Sequence, residues 1–104
     1  MAQVLETESR VAPGRRSAFE VRMAVLKVAA EGAAKPTHMM YRSNTSWTIL
    51  QKNLDALLAS GFIQKFGELP RVEYSITERG MKVLNDYLEL VYKATGAQGV
   101  QEVA

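Results

Sequence analysis

The sequence predicts an α+β domain in which a few helices pack with a small two-stranded sheet. Residues 46–61, SWTILQKNLDALLASG, have the pattern of an amphipathic helix with a serine cap and a glycine end. Residues 74–80, YSITERG, have the pattern of a strand that leads into a capped helix. A short apolar run, FIQKF, and a turn, GELP, lie between them. Helix, strand, turn, strand and helix in this order predict a winged helix-turn-helix, with a three-helix core, a two-stranded wing and a C-terminal helix.

The composition bounds the class of protein. A chain of 104 residues has material for one domain with a modest core. It contains no cysteine, which excludes disulfides and thiolate metal sites, and no apolar run approaches the roughly 20 residues that span a bilayer. The N-terminal residues include Glu6 and Glu8 and no apolar block, so we expect no secretory signal and a cytoplasmic protein. The net charge of +2 is compatible with nucleic-acid binding but does not argue for it.

Changes in composition along the chain divide it into four parts. Pro13-Gly14 ends an unpatterned N-terminal stretch, and the C-terminal residues are small and polar. We therefore expect a flexible tail over residues 1–16, a winged helix-turn-helix domain over residues 17–80, a C-terminal dimerisation helix over residues 81–95 and a flexible tail over residues 96–104.

The first two helices are predicted from their end signals. Ser17 and Glu20 form a capping box, and the helix should run to about Glu31 and stop at Gly32. Its narrow polar strip indicates burial on more than one side; the simple alternative is the central helix of a small fold, and periodicity leaves both open. Pro36 suits the first turn of a short second helix.

The third helix is the candidate for contact with a ligand. We expect Ser46 to cap it and Ser60 to end it before Gly61. Trp47 begins its apolar stripe, so we expect this side chain in the core. The stripe continues through Leu50, Leu54, Leu57 and Leu58, and the opposite face carries Thr48, Gln51, Lys52 and Asp55. Such a polar face can enter a DNA major groove about 12 Å wide, although a merely solvated helix face is the open alternative.

The wing is predicted from alternating apolar residues around a turn. The strands should contain residues 62–63 and 72–76, and Gly67 with Leu69-Pro70 should shape the turn. Arg71 at the end of this turn can either touch a phosphate or pair with a neighbouring glutamate, Glu68 or Glu73. We expect Thr77 to cap the last helix and Gly80 to let this helix pass close to its neighbour.

The last helix, from Glu78 to about Lys93, carries more apolar surface than one core requires. The polar residues occupy less than half of the helical wheel, whereas a surface helix needs an apolar arc of about 100° or somewhat more. We expect the excess to pair with a second copy of the chain, along either Leu84, Leu88 and Val91 or Val83, Tyr87 and Leu90. The open alternative is that the first helix covers both sides of the arc.

Motifs for other chemistry are absent from the sequence. His38 is the only histidine and has no cysteine or carboxylate at ligand spacing, so a surface or partly packed histidine is expected. No phosphate-binding glycine loop, nucleophile elbow or paired-carboxylate motif occurs. We expect no enzyme activity, no cofactor, no metal and no membrane partner.

Three motifs give a resemblance to a known family. KPTHMMYRSNTSWTILQKNLDALLASGFI and YSITERG resemble the small archaeal winged-helix DNA-binding proteins. Those proteins share a Thr-x-x-Met-Tyr second helix, a Ser-aromatic-x-x-Leu start of the third helix and a Tyr-x-Leu-Thr-x-x-Gly junction. The resemblance covers residues 17 to about 92, and Ile76 stands where leucine is commoner in the junction.

The resemblance implies a homodimer that binds double-stranded DNA on the nucleoid and regulates transcription. It assigns DNA contacts to the third helix and the wing, and dimerisation to the C-terminal helix. Residues 35–52, which include Arg42, contain three cations and no acidic residue, a mild charge asymmetry that favours a DNA-binding domain over a scaffold domain. The predicted DNA-binding residues are Ser46, Thr48, Gln51, Lys52, Arg42 and Arg71, and the predicted dimerisation residues are Leu84, Tyr87, Leu88 and Val91.

Two further readings stay open at this stage. A winged helix can serve as a protein–protein interaction module without DNA binding, which the near-neutral charge permits, or as a ligand-responsive regulator with a pocket at the dimer interface. Arg15 and Arg16 can add phosphate contacts from a flexible arm, or they can simply make the N-terminal stretch more soluble.

Overall fold

The computed structural model describes residues 16–96, and these form four helices and one two-stranded antiparallel sheet. The predicted tails therefore lie outside the described residues, except for Arg16 and Gly96. The predicted winged helix-turn-helix is confirmed, and the two-stranded sheet forms the wing. The elements in chain order are α1 (Ala18–Ala30), α2 (Pro36–Ser43), α3 (Trp47–Ala59), β1 (Ile63–Phe66), β2 (Glu73–Ile76) and α4 (Glu78–Thr95).

Short polar side chains start three of the helices, as the sequence predicts. Ser17 and Glu20 form both hydrogen bonds of the capping box: the Glu20 N–H donates to Ser17 Oγ at 3.1 Å and the Ser17 N–H to Glu20 Oε1 at 2.9 Å. The hydroxyls of Ser46 and Thr77 accept in the same way at the starts of α3 and α4. These bonds satisfy backbone donors that a helix leaves unpaired at its first turn, so the starts of α1, α3 and α4 are set locally.

α1 is the central helix of the fold. Its position among the other elements explains why its polar strip is narrow. It contacts α2, α3, α4 and β2. Leu26 and Val25 are fully buried, and so are Leu50 and Leu54 on α3. Burial of one such leucine contributes about 1.5–3 kcal/mol. The buried apolar core comprises Met23, Val25, Leu26, Val28, Ala29, Ala34, Met39, Leu50, Leu54, Leu57, Ile63, Val72, Tyr74 and Leu84.

The wing is a short hairpin attached to the core through its inner face. Its antiparallel register pairs Ile63 with Ile76 and Phe66 with Glu73, so β1 extends further than the predicted residues 62–63. Tyr74 also exchanges two backbone hydrogen bonds with Ala34, at 2.9 and 2.8 Å. These bonds fasten the hairpin to the segment between α1 and α2.

α4 crosses the base of the wing at close range. A Cβ built on Gly80 would collide with the Phe62 carbonyl oxygen and would lie 2.8 Å from Ile76 Cγ1. Thr77 strengthens this junction, because its hydroxyl donates to the Gly61 carbonyl at 2.7 Å and accepts from the Gly80 N–H at 3.0 Å. The predicted close approach at Gly80 is thus confirmed.

Two side chains differ from the expectations. Trp47 is 49% exposed rather than buried, because it precedes the part of α3 that reaches the core. Leu84 is 4% exposed and belongs to the chain's own core, so it has little surface to offer a second chain. None of the helices within residues 16–96 is long and apolar enough to cross a membrane.

Candidate nucleic-acid interface

The first two turns of α3 present an exposed surface made of the residues that the sequence singles out. Ser46, Thr48 and Lys52 are exposed, and Gln51 is half-buried at the edge of the core. Trp47 adds an exposed aromatic ring beside them. We refer to these five residues as the α3 surface. It is one contiguous patch, because residues three and four apart in a helix are neighbours on its surface.

The side chains of the α3 surface differ in how many of their polar groups are already bonded within the chain. Ser46 Oγ accepts from the Ile49 N–H at 3.2 Å, and this leaves the hydroxyl hydrogen to donate elsewhere. Lys52 forms no ion pair within residues 16–96. Its ammonium charge is therefore not neutralised by any described carboxylate, and it lies one turn beyond Thr48.

A buried amide holds α3 against α1 behind the α3 surface. Asn53 is only 6% exposed. Its Oδ1 accepts from Arg22 Nε at 2.9 Å, and its Nδ2 donates to the Ile49 carbonyl at 2.8 Å. The first bond joins α3 to α1 and the second lies within α3, so the buried amide is satisfied at both ends.

A second polar network holds the turn between α2 and α3. Arg16 Nη2 donates to the carbonyls of Ser43 and Asn44, at 2.8 and 2.9 Å. Asn44 ends α2 in the left-handed conformation, with φ of 58°. The buried Ser43 hydroxyl donates to the Met39 carbonyl at 2.6 Å and lies 3.0 Å from Thr45 Oγ1. These bonds form a bracket directly before α3, and the bracket includes Arg16, which the sequence assigned to a tail.

This bracket bears on the proposed arm contacts. Arg16 uses its guanidinium to cover the last carbonyls of α2, a common role for basic side chains at helix ends. Arg16 therefore has a structural role in the folded chain, which makes it a weaker candidate for a phosphate contact. Arg15 lies outside the described residues.

The remaining two predicted cations differ in their surroundings. Arg42 pairs with Glu31 at 2.7 Å, which ties α2 to the end of α1. Both partners are about half exposed, and such pairs contribute about 0–1 kcal/mol. Arg71 is exposed in the turn of the wing and pairs with neither Glu68 nor Glu73 in the described part of the chain. The charge of Arg71 is thus more available to a phosphate than that of Arg42.

One titratable group near α3 is perturbed. Burial raises the pKa of the Tyr74 hydroxyl above its ordinary value, and the carboxylate of Asp55 on α3 raises this pKa further. The neutral hydroxyl of Tyr74 is therefore favoured in the folded protein.

The described residues contain no arrangement for metal chemistry. No group of three or more histidine, cysteine, aspartate or glutamate side chains converges there. His38 is exposed on α2.

A groove of about 270 Å³ lies between α1 and α4, away from the α3 surface. Phe19 on α1 and Tyr87 on α4 make an edge-to-face contact in this region, with ring centroids 5.4 Å apart. Three of the four predicted dimerisation residues, Tyr87, Leu88 and Val91, are half-buried there. The groove is lined by Arg16, Glu20, Met23, Ala24, Lys27, Leu84, Tyr87, Leu88 and Val91.

Three positioning residues were not predicted from the sequence: Arg16, Arg22 and Asn53. Asn53 had a detectable signal, because it lies among the leucines of the buried stripe of α3, between Leu50 and Leu57. An asparagine in such a stripe must find a hydrogen-bond partner. Nothing in the sequence indicated that the partner would be Arg22.

Comparison with solved structures agrees with this architecture. Sso10a-2, a DNA-binding protein from Sulfolobus solfataricus, superposes with a TM-score of 0.63 over 85% of this chain and 96% of its own, at 24% identity. The transcriptional regulator BldR from the same organism gives a TM-score of 0.61 over 80% of this chain and 70% of its own, at 17% identity. At these identities the similarity shows a shared fold.

Sequence comparison identifies the family to which the chain belongs. An uncharacterised protein of the archaeon Methanocaldococcus jannaschii is 36% identical over 76 residues, which are 73% of this chain and 74% of that protein. The winged helix-turn-helix family matches residues 15–94, which include every helix and strand described above except Thr95, the last residue of α4. The chain therefore belongs to the winged helix-turn-helix family.

Proposed function

We propose that this protein binds double-stranded DNA as a homodimer and regulates transcription or organises DNA on the nucleoid. The observation that carries the proposal is the α3 surface: a largely exposed and mainly polar patch with one cation, on a helix that the Arg22–Asn53 hydrogen bond joins to α1. A fixed helix with an open polar face suits the DNA major groove, which is about 12 Å wide and admits one helix.

The roles of the individual residues follow from their chemistry. Lys52 supplies a free cation for a phosphate, and Thr48 and Gln51 supply hydroxyl and amide groups for base edges. Ser46 lies at the helix start, where N-terminal residues of such helices meet the DNA. Arg71 supplies a phosphate contact from the wing, whereas Arg42 is the weakest candidate because Glu31 already neutralises it.

The groove between α1 and α4 supports the dimer. Its floor is apolar, and Leu88 and Val91 remain half-exposed along it. A second copy of α4 laid over the groove would bury these side chains in a symmetric interface. Such a dimer can place two α3 helices about one DNA turn, roughly 34 Å, apart. Leu84 lies beneath the groove in the chain's own core, so we do not assign it to the interface.

A binding titration with two charge variants tests DNA binding by α3. Affinity for a labelled duplex should fall steeply as salt increases, because each phosphate contact releases counterions. Lys52→Ala should weaken binding to every duplex and reduce the slope of log affinity against log salt by about one unit per bound chain. Lys82→Ala is the matched control, because Lys82 is an exposed lysine on α4, away from the α3 surface.

The two variants separate the alternatives. Equal affinities and salt slopes for Lys52→Ala and the unmodified protein would reject the proposed role of α3. Absence of duplex binding by the unmodified protein at low salt would leave the protein–protein interaction module as the better account.

A further inference from the structure

Trp47 is an exposed aromatic residue, and packing within the folded chain does not account for a tryptophan at this position. About half of its surface faces solvent, and two more exposed apolar side chains, Tyr41 and Ile49, occur on α2 and early in α3. Tryptophan has the largest apolar surface of any side chain, so its exposure at this position forgoes substantial burial. The cap of α3 does not require it, since Ser46 supplies the cap.

The position of Trp47 relates it to the α3 surface rather than to the core. It is the first residue of α3, directly between Ser46 and Thr48. It lies one turn before Gln51, so the two side chains are neighbours along the edge of the helix. The fully buried stripe of α3 begins only at Leu50.

We propose that Trp47 reads thymine in the major groove by packing its indole against the C5-methyl group. This inference rests on the proposed entry of α3 into that groove. In the major groove, the thymine methyl is the one apolar group among the edges of the four base pairs, and the other groups there are hydrogen-bond donors and acceptors. An apolar ring at the start of α3 therefore distinguishes T from C by contact with the methyl.

The occupant is duplex DNA rather than an apolar protein surface because of what surrounds the ring. Thr48 and Lys52 are exposed on the same two turns, and Lys52 has no carboxylate partner within the described chain. A hydrophobic protein partner would have to desolvate that lysine without compensation. In DNA, a phosphate can pair with the lysine while a thymine methyl packs against the tryptophan ring.

The test compares two duplexes that differ only in the methyl group. The first is a duplex of about two helical turns that contains only A·T pairs; the second replaces every thymine with uracil. The unmodified protein should bind the uracil duplex about fourfold more weakly per methyl contact, which corresponds to one buried methyl. Trp47→Ala should bind both duplexes with nearly equal affinity.

Comparing the two proteins on both duplexes removes any effect of uracil on DNA shape, because that effect is common to both. Tyr41→Ala is the matched control: it also removes an exposed aromatic ring, but from α2, and it should preserve the preference for thymine. Retention of the full thymine preference by Trp47→Ala would overturn the inference. So would an absence of thymine preference in the unmodified protein while it binds both duplexes, and neither result would affect the proposed DNA binding.

A second readout needs no variant. Trp47 is the only tryptophan in the chain, so the tryptophan emission of the unmodified protein reports on this one ring. Saturation with the thymine duplex should change the intensity or wavelength of that emission. Unchanged emission at saturating duplex would overturn the contact, even if Trp47→Ala failed to fold.

Discussion

At the scale of single residues, the fold depends on a polar side chain in an apolar place. Asn53 lies in the leucine stripe of α3, and its amide is bonded at both ends, to Arg22 and to the Ile49 carbonyl. The bond to Arg22 is the one that crosses from α3 to α1. We interpret Asn53 as the residue that aligns the α3 surface with the rest of the domain.

This interpretation predicts the effect of Asn53→Ala. The substitution removes the acceptor of Arg22 Nε and the donor to the Ile49 carbonyl. We expect the free energy of unfolding to fall by about 1–3 kcal/mol, measured by urea denaturation, and duplex affinity to fall with it. Asn85→Ala on the exposed side of α4 is the matched control and should change unfolding by less than about 0.5 kcal/mol. Equal stability of the two variants would contradict a positioning role.

Tyr74 gives a prediction about pH. Its folded-state pKa is raised by burial and by Asp55, so the neutral hydroxyl is favoured in the folded state. The stability contributed by this shift is fully present below the unfolded pKa, about 10, and is lost as pH rises through the folded pKa. Tyr74→Phe should therefore lose less stability than the unmodified protein between pH 9 and pH 11 (on the order of one unit to either side of that pKa), as measured by urea midpoints. A parallel decline of both proteins would show that Tyr74 does not titrate in this way.

At the scale of elements, the junction between the wing and α4 is a close contact that a glycine permits. Gly80 admits the Phe62 carbonyl and the Ile76 side chain where a Cβ would stand. The glycine thus sets how close α4 lies to the base of the hairpin. This distance also determines where the wing projects relative to α3.

Gly80→Ala tests this junction, because the close contact reverses the usual direction of its effect on stability. Alanine in place of glycine inside a helix ordinarily stabilises by about 1 kcal/mol. At Gly80 we expect the opposite, a loss of more than about 1 kcal/mol, because the clash involves backbone as well as a side chain. Thermal unfolding measures the sign directly, and a rise in Tm would show that α4 can shift without penalty.

The elements themselves were largely predictable from the sequence because their ends are coded locally. The capping box at Ser17, the serine and threonine caps of α3 and α4, and Pro36 each act within one helical turn. What the sequence did not predict depends on contacts between elements. Trp47 was expected in the core because the helical wheel does not show where along α3 the core begins.

The candidate site shows the same division. The residues of the α3 surface were named from periodicity, but the Arg22–Asn53 bond joins residues 31 positions apart. Arg16 likewise bonds the end of α2 from before α1. Such long-range bonds leave no periodic signal. Leu84 was assigned to a dimer seam because the sequence does not show how much of α4 is covered by α1.

At the scale of the whole molecule, the groove between α1 and α4 predicts a dimer. Leu88→Asp places a charge on the groove rim and should give a species of 11.5 kDa in sedimentation, the mass of one chain, where the unmodified protein sediments at about twice that mass. Leu90→Asp is the matched control, because Leu90 lies on another side of α4 and is 65% exposed. It should leave the dimer intact.

Circular dichroism establishes whether Leu88→Asp remains folded before its mass is interpreted. If Leu90→Asp dissociates the dimer and Leu88→Asp does not, the interface lies on the other flank of α4. If the unmodified protein sediments as a single chain at micromolar concentration, the groove does not hold a second copy.

The central claim is that α3 is the part of the molecule that meets duplex DNA. Amide chemical shifts of the isotope-labelled protein, followed while duplex DNA is added, test this residue by residue. We predict that the largest changes fall on residues 46–52, with a second group at residues 67–71 of the wing, and that the amides of residues 81–95 change little. Changes concentrated on α4, or no changes at saturating duplex, would contradict the account.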